Sequence, residues 1–389
     1  MDVQKERVSR IADVFCEQFG MGPGVVVRAP GRVEIIGGHT DYNEGYVMPA
    51  AIDRDVLIAV ARNSGKAVRA HSLNFNQTCE FSLDAIEKSE DALWLNYVMG
   101  TLQQLLARDV DLSGMFLAIE GNVPLGGGLS SSAALEVATA WAALEITNQS
   151  LPGEEIAKLC QRAENQFVGV NSGIMDQFIS ALGEEGKAMF LDCRSLDYHS
   201  VKLPDHTKII VADSKKPRTL AGSEYNIRRA QCEDAVDILK KHIPDVKALR
   251  DIAPEDLEKY SSKLPEVVRK RARHVVYEND RVLKCVRALK RGDRAEFGEM
   301  LNQSHASARD LYEISIPELN VLQEAAVSVD GCLGSRLSGA GFGGCTVSIV
   351  QSDAVETFKE TVIRQYKDKT GITPAVDVLS SAGGASRVL

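Results

Sequence analysis

A glycine- and serine-rich segment in the first half of the chain constrains the fold more than any other feature. Residues 124–133 read Pro-Leu-Gly-Gly-Gly-Leu-Ser-Ser-Ser-Ala, between a predicted strand at 116–119 and a predicted Ala-rich helix. Consecutive glycines let the backbone approach an anion, and hydroxyls at a helix start lie beside free N–H groups and the positive end of the helix dipole. A serine-capped helix after a flexible turn needs fewer glycines and serines than this. The segment therefore predicts a strand–loop–helix unit that binds phosphate.

This loop differs from the commonest nucleotide-binding signatures. The sequence contains no GxxxxGK[ST] motif, and it contains neither the HRD nor the DFG motif of protein kinases. A second glycine-rich stretch, residues 339–344, matches GxGxxG and raises a dinucleotide-dependent dehydrogenase as an alternative. That fingerprint should follow a strand and open a helix. We expect no strand before this stretch and a strand at 345–350 after it, which counts against a dinucleotide site.

A third glycine-bounded stretch carries three polar residues close together. Arg32, His39 and Asp41 lie between Gly31 and Asn43. Such a cluster can bind a polyol through charged and neutral hydrogen bonds. It can equally be a polar loop with a structural Arg–Asp pair, and both interpretations stay open on this segment alone.

Composition limits the possible partners and location. The formal net charge is −9, which disfavours nucleic-acid binding, since that depends on a basic surface. No run of residues approaches the length of a membrane span, and no apolar segment follows the N-terminus. The 8 cysteines are scattered and form no CxxC pair, as is typical of reduced thiols. We expect a cytoplasmic protein without nucleic-acid or membrane partners, monomeric or weakly dimeric.

The order of predicted elements indicates an α+β protein. A chain of 389 residues is too long for one compact core and predicts two domains. Helical periodicity covers 1–20, 94–106, two segments within 153–182 and most of 223–327. The pattern breaks at 183–187, so we place the boundary between domains 1–185 and 186–389, with an active site in the cleft between them.

The three glycine-rich stretches, in this order, resemble the motifs of the GHMP kinases. Other segments resemble the galactokinase family in particular: Gly31-Arg32-Val33 with residues 39–43, residues 94–98, Gly-Ile-Met-Asp-Gln-Phe at 173–178, residues 192–196, residues 223–229 and Pro-Glu-Leu at 317–319. The resemblance runs nearly end to end. It implies a two-domain sugar 1-kinase that takes ATP and magnesium and converts galactose to galactose 1-phosphate.

The resemblance also implies roles for individual residues. Asp176 resembles the catalytic carboxylate and Arg32 its cationic partner, while Ser131 and Glu164 resemble the magnesium ligands. The implied sugar contacts are Gly38, His39, Asp41, Gly173 and Tyr225. The implied ATP contacts are Gly126, Gly127, Gly128, Leu129, Ser130, Ser131, Ser132, Ala133, Trp94 and Tyr97.

Two positions depart from the galactokinase pattern. Gly38 stands where the family usually has a Glu that contacts the C6 hydroxyl of the sugar, and Glu34 stands where Asn is usual. Loss of a carboxylate near C6 removes a hydrogen bond and also a repulsion, so galacturonate is an alternative substrate. That alternative needs a cation facing C6, which the sequence does not place.

Two further alternatives remain within the same superfamily. A non-catalytic sugar sensor usually has changes in the serine loop or at the catalytic Asp, whereas residues 130–133 and Asp176 are all present here. A mevalonate or homoserine kinase is disfavoured by the residues around His39 and Asp176, which indicate a sugar.

Overall fold

The computed structural model describes residues 3–124, 127–217 and 221–389 of the chain. The helices are α1 (Val3–Phe19), α2 (Leu95–Leu106), α3 (Ser131–Thr147), α4 (Gly153–Arg162), α5 (Met175–Leu182), α6 (Ala221–Leu239), α7 (Pro254–Tyr260), α8 (Glu266–Arg291), α9 (Arg294–Ser307), α10 (Pro317–Val327) and α11 (Val355–Thr370). Helix α4 continues into a π-helical turn at Ala163–Val168. In the described part of the chain, no helix is both long and apolar enough to cross a bilayer.

The strands form two sheets. They are β1 (Val25–Ile36), β2 (Tyr46–Arg62), β3 (Ala67–Ser72), β4 (Gln77–Ser82), β5 (Met115–Gly121), β6 (Lys187–Asp192), β7 (Tyr198–Lys202), β8 (Thr207–Asp213), β9 (Cys332–Ser338), β10 (Cys345–Gln351), β11 (Ala375–Leu379) and β12 (Ser386–Arg387). The larger sheet has the order β12-β1-β2-β5-β3-β4, with β6 and β7 added at β2, and the smaller has the order β11-β8-β10-β9. The mixture of elements confirms the predicted α+β class.

Strand β1 connects the two halves of the molecule. Its first half packs into the core beneath α2, α3 and α5, through Val25, Val27 and Ala29. Its second half contributes Val33 and Ile35 to a different core, which it shares with the smaller sheet and with α8 and α9. The pairing with β2 shifts register between Pro30 and Arg32 and again between Glu34 and Ile36. These irregularities place Arg32 and Glu34 where the two halves meet.

Most predicted elements are present, and one expectation was wrong. A strand does precede the GxGxxG stretch, because β9 runs through Ser338. Its polar residues Ser335 and Arg336 are fully buried, so β9 lacks the apolar alternation by which a strand is recognised in sequence. Strand β10, not a helix, follows the stretch, and it pairs antiparallel with β9. The glycines therefore form a turn between two antiparallel strands, which is not the context of a dinucleotide fingerprint.

The position of the domain boundary stays a prediction. Strands β6 and β7 pair with β2 of the larger sheet, and β12 pairs with β1. We therefore propose a two-domain division in which residues 187–202 belong with the first domain.

Candidate active site

A cavity of about 1020 Å³ lies between the two halves of the molecule. One wall comes from β1, the residues after it and the start of α3, and the other from residues 213–217 and 339–344. The predicted site residues among the cavity's lining are Arg32, His39, Asp41, Gly127, Gly128, Leu129, Ser130, Ser131, Ser132, Glu164, Gly173, Asp176 and Tyr225. Folding thus brings the three glycine-rich stretches to one cavity.

The serine-rich loop packs directly against β1. The N–H of Arg32 donates to the Leu129 carbonyl oxygen at 2.9 Å. A Cβ on Gly31 would lie 2.6 Å from that same oxygen, so only glycine allows this approach. Ser130 precedes α3 in the left-handed conformation, with φ 60° and ψ 50°. This costs a non-glycine residue roughly 1 kcal/mol or more, and such strain is concentrated at functional sites. Gly126 lies outside the described residues.

Arg32 and Asp176 form an ion pair with two parallel hydrogen bonds. Arg32 Nε donates to Oδ1 at 2.7 Å and Nη2 donates to Oδ2 at 2.8 Å, while Nη1 donates to the Gly128 carbonyl oxygen. Ser130 Oγ also donates to Asp176 Oδ2. The Arg32 side chain is 7% exposed, whereas that of Asp176 is 26% exposed and faces the cavity. The pair therefore fixes the orientation of a carboxylate that a ligand can still reach.

Asp41 and Gly173 are in direct contact beside this pair. A Cβ on Gly173 would lie 1.8 Å from Asp41 Oδ2, so no other residue fits there without displacing the carboxylate. Burial raises the pKa of Asp41 to about 7, and the negative charges of Asp176 and Glu34 add to that shift. A hydrogen bond from the Tyr42 backbone and the charge of Arg32 lower the pKa of Asp41 in part, and no arginine or lysine side chain within the described ranges hydrogen-bonds to it.

His39 lines the cavity and lies in a cluster of aromatic side chains. Its Nδ1 is 2.8 Å from the Tyr42 hydroxyl, and its ring lies 5.5 Å from that of Tyr225. Burial lowers the pKa of His39 to about 3, so the imidazole is neutral at pH 7. Its Nε2 is buried without a hydrogen bond of ordinary geometry to a described residue, although the backbone of Ala340 lies near enough to raise the pKa of the ring. A neutral imidazole can donate to or accept from a sugar hydroxyl.

Glu164 also lines the cavity and lies in the π-helical turn. It accepts hydrogen bonds from Ser172 Oγ and from Gln177 Nε2, the latter at 2.8 Å. Gln177 Nε2 also donates to the fully buried Glu136. Burial raises the pKa of Glu164, and the nearby charge of Asp176 adds to that effect. Within the described residues, no cationic side chain forms an ion pair with Glu164.

The structure places four of the predicted contacts outside the lining of the cavity. Trp94 stacks on Phe75 and donates from Nε1 to Gln77, and the partly buried Tyr97 packs against the core of the first half. Gly38 lies behind the cavity wall, where its N–H donates to Glu278 and its carbonyl oxygen accepts from His274 Nε2. Ala133 is buried in the first turn of α3.

Sequence reasoning missed two kinds of cavity residue. Lys215 and Lys216 line the wall formed by the second half, directly after β8. A Lys-Lys pair at the end of a strand in an acidic chain is a signal that could have identified them. Glu34 also lines the cavity. Its departure from the galactokinase pattern was visible, but the position of its carboxylate was not.

Three family models match the chain. They are the GHMP kinases N terminal domain at residues 96–184, the galactokinase galactose-binding signature at residues 13–62 and the GHMP kinases C terminal at residues 285–368. The first range contains the serine-rich loop and Asp176, and the second contains Arg32, His39 and Asp41.

Similar proteins of known name match over nearly the full chain. A galactokinase of Roseiflexus sp. is 46% identical over 375 residues, 96% of each chain. A galactokinase of Chloroflexus aurantiacus is 44% identical over 381 residues, 98% of each chain. The crystal structure of Lactococcus lactis galactokinase complexed with galactose matches with a TM-score of 0.94 and 36% identity, covering 98% of this chain and 100% of that one. Methanococcus jannaschii mevalonate kinase shares the fold, with a TM-score of 0.63 at 17% identity.

Proposed function

This chain belongs to the galactokinase family of GHMP kinases, and we propose that it transfers the terminal phosphoryl group of ATP to the anomeric hydroxyl of galactose, giving galactose 1-phosphate and ADP. The observation that carries the proposal is the contact of Asp176 with both Arg32 and Ser130. Asp176 thus contacts the serine-rich loop through Ser130, and its charge acts on the nearby Asp41, which supports a role for it at the junction of phosphate and sugar. A sugar hydroxyl and a phosphoryl group can therefore meet beside one proton acceptor.

We propose that Asp176 acts on the sugar hydroxyl that attacks the phosphoryl group. The anomeric hydroxyl must lose its proton as its oxygen attacks phosphorus, and a carboxylate within hydrogen-bond reach can accept that proton. Arg32 holds both Asp176 oxygens in plane, so the carboxylate is already oriented when the sugar arrives. The positive charge of Arg32 also favours the developing sugar oxyanion.

We propose that the start of α3 binds the phosphates of ATP. The first N–H groups of a helix have no partner within the helix and point along its dipole toward an anion. Ser131 and Ser132 add hydroxyls at this position, and Lys215 and Lys216 add positive charge across the same cavity. Phosphoryl transfer depends mostly on positioning and on electrostatic stabilisation, which these groups supply.

We propose that Ser131 and Glu164, which both line the cavity, would hold magnesium. Glu164 is 6% exposed, lines the cavity and lacks a cationic partner among the described residues, so a bound cation would compensate its buried charge. A carboxylate, a hydroxyl and phosphate oxygens are the ligands that magnesium prefers. When bound, the ion neutralises charge on the phosphates. Ser172 and Gln177 orient the Glu164 carboxylate for that contact.

A kinase assay coupled to ADP release tests the proposal. The sugars are galactose, galacturonate, glucose, talose and N-acetylgalactosamine, and we expect galactose to be phosphorylated at C1. ADP release with none of these sugars would overturn the proposal, and would instead support a sugar-sensing relative without catalysis.

Substitution of Asp176 tests the assigned role. We expect Asp176→Ala to lower kcat at least a thousandfold, while nucleotide binding, measured by thermal shift with ATP and magnesium, stays nearly unchanged. Asp237→Asn is the matched control, because Asp237 is an exposed carboxylate that pairs only with the surface residue Lys240. Normal turnover by Asp176→Ala would refute the role of the carboxylate.

Three other predictions are retained as proposals. We infer a cytoplasmic protein that is monomeric or weakly dimeric and has no nucleic-acid partner. The absence of a disulfide among the eight cysteines, all of which lie in the described ranges, and the net charge of −9 support this.

A further inference from the structure

Glu34 and Arg336 form a buried ion pair that joins the two halves of the molecule. Arg336 Nη1 donates to Glu34 Oε1 at 2.9 Å and to the Glu34 carbonyl oxygen at 3.1 Å. The side chains are 4% and 0% exposed, and the residues lie 302 positions apart. Such a pair holds the Glu34 carboxylate in one orientation at the cavity wall.

The pair occupies the space beside Gly38. A Cβ on Gly38 would lie 2.5 Å from Arg336 Nη2 and 3.0 Å from Glu34 Oε1. A side chain at position 38 and the carboxylate of Glu34 would therefore compete for the same place. Because residue 38 is glycine, the carboxylate of Glu34 reaches that place.

The other oxygen of the Glu34 carboxylate is available to a ligand. Glu34 lines the cavity, and no donor within the described residues hydrogen-bonds to its Oε2. Buried polar atoms that lack a partner do not include this oxygen. An oxygen that is exposed at the cavity surface would have no protein donor and would also not be counted as buried.

Glu34 lies two residues along β1 from Arg32, which holds the Asp176 carboxylate. Residues 32, 33 and 34 pair with Ala51, Ala50 and Pro49 in unbroken register, so Arg32 and Glu34 project to the same side of β1. Two residues along a strand span about 7 Å, which is close to the distance across a hexose from its anomeric oxygen to its C6 substituent. Asp41 lies within electrostatic range of both carboxylates, since the charges of Asp176 and Glu34 both raise its pKa.

The charges around Arg336 are already balanced. Its Nε donates to Ser304 Oγ, and Ser304 Oγ donates to Glu278, which also pairs with Arg281. Two carboxylates, Glu34 and Glu278, thus compensate two guanidinium groups. Arg336 Nη2 is buried without a partner among the described residues, but it points toward Gly38 and is not part of the cavity lining. Within residues 3–124, 127–217 and 221–389, no uncompensated cation is found beside Glu34 at the cavity wall.

We propose that Glu34 selects the sugar at C6: its Oε2 accepts a hydrogen bond from a neutral C6 hydroxyl and repels a C6 carboxylate. The inference rests on the proposed function, since it places the anomeric oxygen at Asp176. The Glu34–Arg336 pair with Gly38 thus favours a neutral hexose and excludes the corresponding uronic acid.

The first experiment compares kcat/KM of the native enzyme for galactose, 6-deoxygalactose and galacturonate. A hydrogen bond to a charged acceptor contributes roughly ten- to a hundredfold, so we expect galactose to exceed 6-deoxygalactose by that factor. Galacturonate should be weaker still. A preference for galacturonate would overturn the inference and assign Arg336 Nη2 as the C6 contact. Absence of turnover with every sugar would instead refute the proposed function.

The second experiment uses Glu34→Gln, which keeps an oxygen for Arg336 and replaces the cavity-facing oxygen by an amide donor. We expect kcat/KM for galacturonate to rise at least tenfold, while the advantage of galactose over 6-deoxygalactose shrinks. Glu278→Gln is the matched control, because Glu278 belongs to the same charge network but is not part of the cavity lining. The control should leave the ratios among the sugars unchanged. If Glu34→Gln changed kcat/KM by the same factor for all three sugars, the role of Glu34 would be structural only, and the inference would be refuted.

A relocated carboxylate gives an independent test. We expect Gly38→Glu alone to lower activity, because the new side chain meets Arg336 and a second carboxylate. Glu34→Asn together with Gly38→Glu removes that conflict and returns a carboxylate to the same space. The double variant should recover a larger galactose to 6-deoxygalactose ratio than Glu34→Asn alone. If the effects of Glu34→Asn and Gly38→Glu on this ratio were additive, the two side chains would not compete for one position, and the inference would be contradicted.

Discussion

Arg32 and Asp176 lie 144 residues apart in sequence and meet through two parallel hydrogen bonds of 2.7 and 2.8 Å. Arg32 belongs to a strand of the larger sheet and Asp176 to the first turn of α5. The remaining donor of the guanidinium, Nη1, is fixed by the Gly128 carbonyl oxygen. One arginine therefore couples β1, the serine-rich loop and the carboxylate that we propose as the proton acceptor, so we expect changes at these positions to act on turnover more than on binding.

The first prediction concerns the geometry of this arginine. Lysine keeps the charge at position 32 but cannot form two parallel bonds to Asp176 while also reaching Gly128. We expect Arg32→Lys to lower kcat about a hundredfold or more, with KM for ATP changed little. Steady-state kinetics check this. Retention of native kcat would show that charge alone is sufficient.

The second prediction concerns the contact of Gly173 with Asp41. A methyl group at position 173 would lie 1.8 Å from Asp41 Oδ2 and must displace it. We expect Gly173→Ala to raise KM for galactose at least tenfold, roughly the contribution of a hydrogen bond to a charged group, and to leave KM for ATP unchanged. Gly22→Ala is the control, because a Cβ there meets nothing within 4 Å. If KM for galactose and KM for ATP both rose in Gly173→Ala, the variant would be misfolded instead.

The third prediction concerns pH. Because burial raises the pKa of Asp41 to about 7, this carboxyl is protonated below pH 7 and accepts sugar hydroxyl donors best above it. We expect kcat/KM for galactose to fall as the pH is lowered from 8 to 6. Asp41→Asn should have lower activity and lack this transition. An unchanged profile in the variant would assign the transition to another group.

The same carboxyl gives a stability prediction of opposite sign. Its folded pKa, about 7, lies above its ordinary value of 3.8, so the folded state binds more protons between these pH values. Its contribution to the free energy of unfolding therefore decreases as the pH rises through this range. Without sugar, Asp41→Asn should raise Tm relative to the native protein at pH 8 and should not do so at pH 4.

The fourth prediction concerns Glu278, which is fully buried beneath Gly37 and Gly38. Burial alone would raise its pKa, but the charges of Arg281, His274 and Arg336 outweigh burial and lower the pKa to about 2. Loss of one partner from a buried charge network costs about 3 kcal/mol, so we expect Glu278→Gln to be destabilised by that amount at pH 7.

Urea unfolding as a function of pH checks the origin of that stability. The folded pKa lies below the ordinary value of 4.5, so the contribution is complete above 4.5 and is lost as the pH falls toward 2. The difference between the native protein and Glu278→Gln should shrink over this range. A constant difference would show that packing, and not the charge, stabilises this region.

The fifth prediction concerns the proposed magnesium ligand. Glu164→Gln keeps the hydrogen-bonding shape but removes the charge that would hold a divalent cation. We expect the magnesium concentration for half-maximal activity to rise about tenfold or more at saturating galactose, while KM for galactose stays near its native value. An unchanged magnesium requirement would exclude Glu164 as a ligand.

The sequence alone determined the local elements and the identity of the motifs. The serine-rich loop, the helix after it, the two helices within 153–182 and the family were all readable, because each depends on neighbouring residues or on short spacings. Strand β9 was missed since Ser335 and Arg336 are polar yet fully buried, and a buried polar strand has no pattern that distinguishes it from a loop.

The tertiary structure decided which distant residues share one site and which charges compensate each other. The sequence showed that Gly38 lacks a side chain, but not that the carboxylate of Glu34 lies beside it, anchored by Arg336 from the other half of the chain. Nor could it place Lys215 and Lys216 opposite the start of α3. Local patterns reflect the chemistry of neighbours along the chain, whereas the specificity of a site depends on contacts across hundreds of residues, which only folding brings within hydrogen-bond distance.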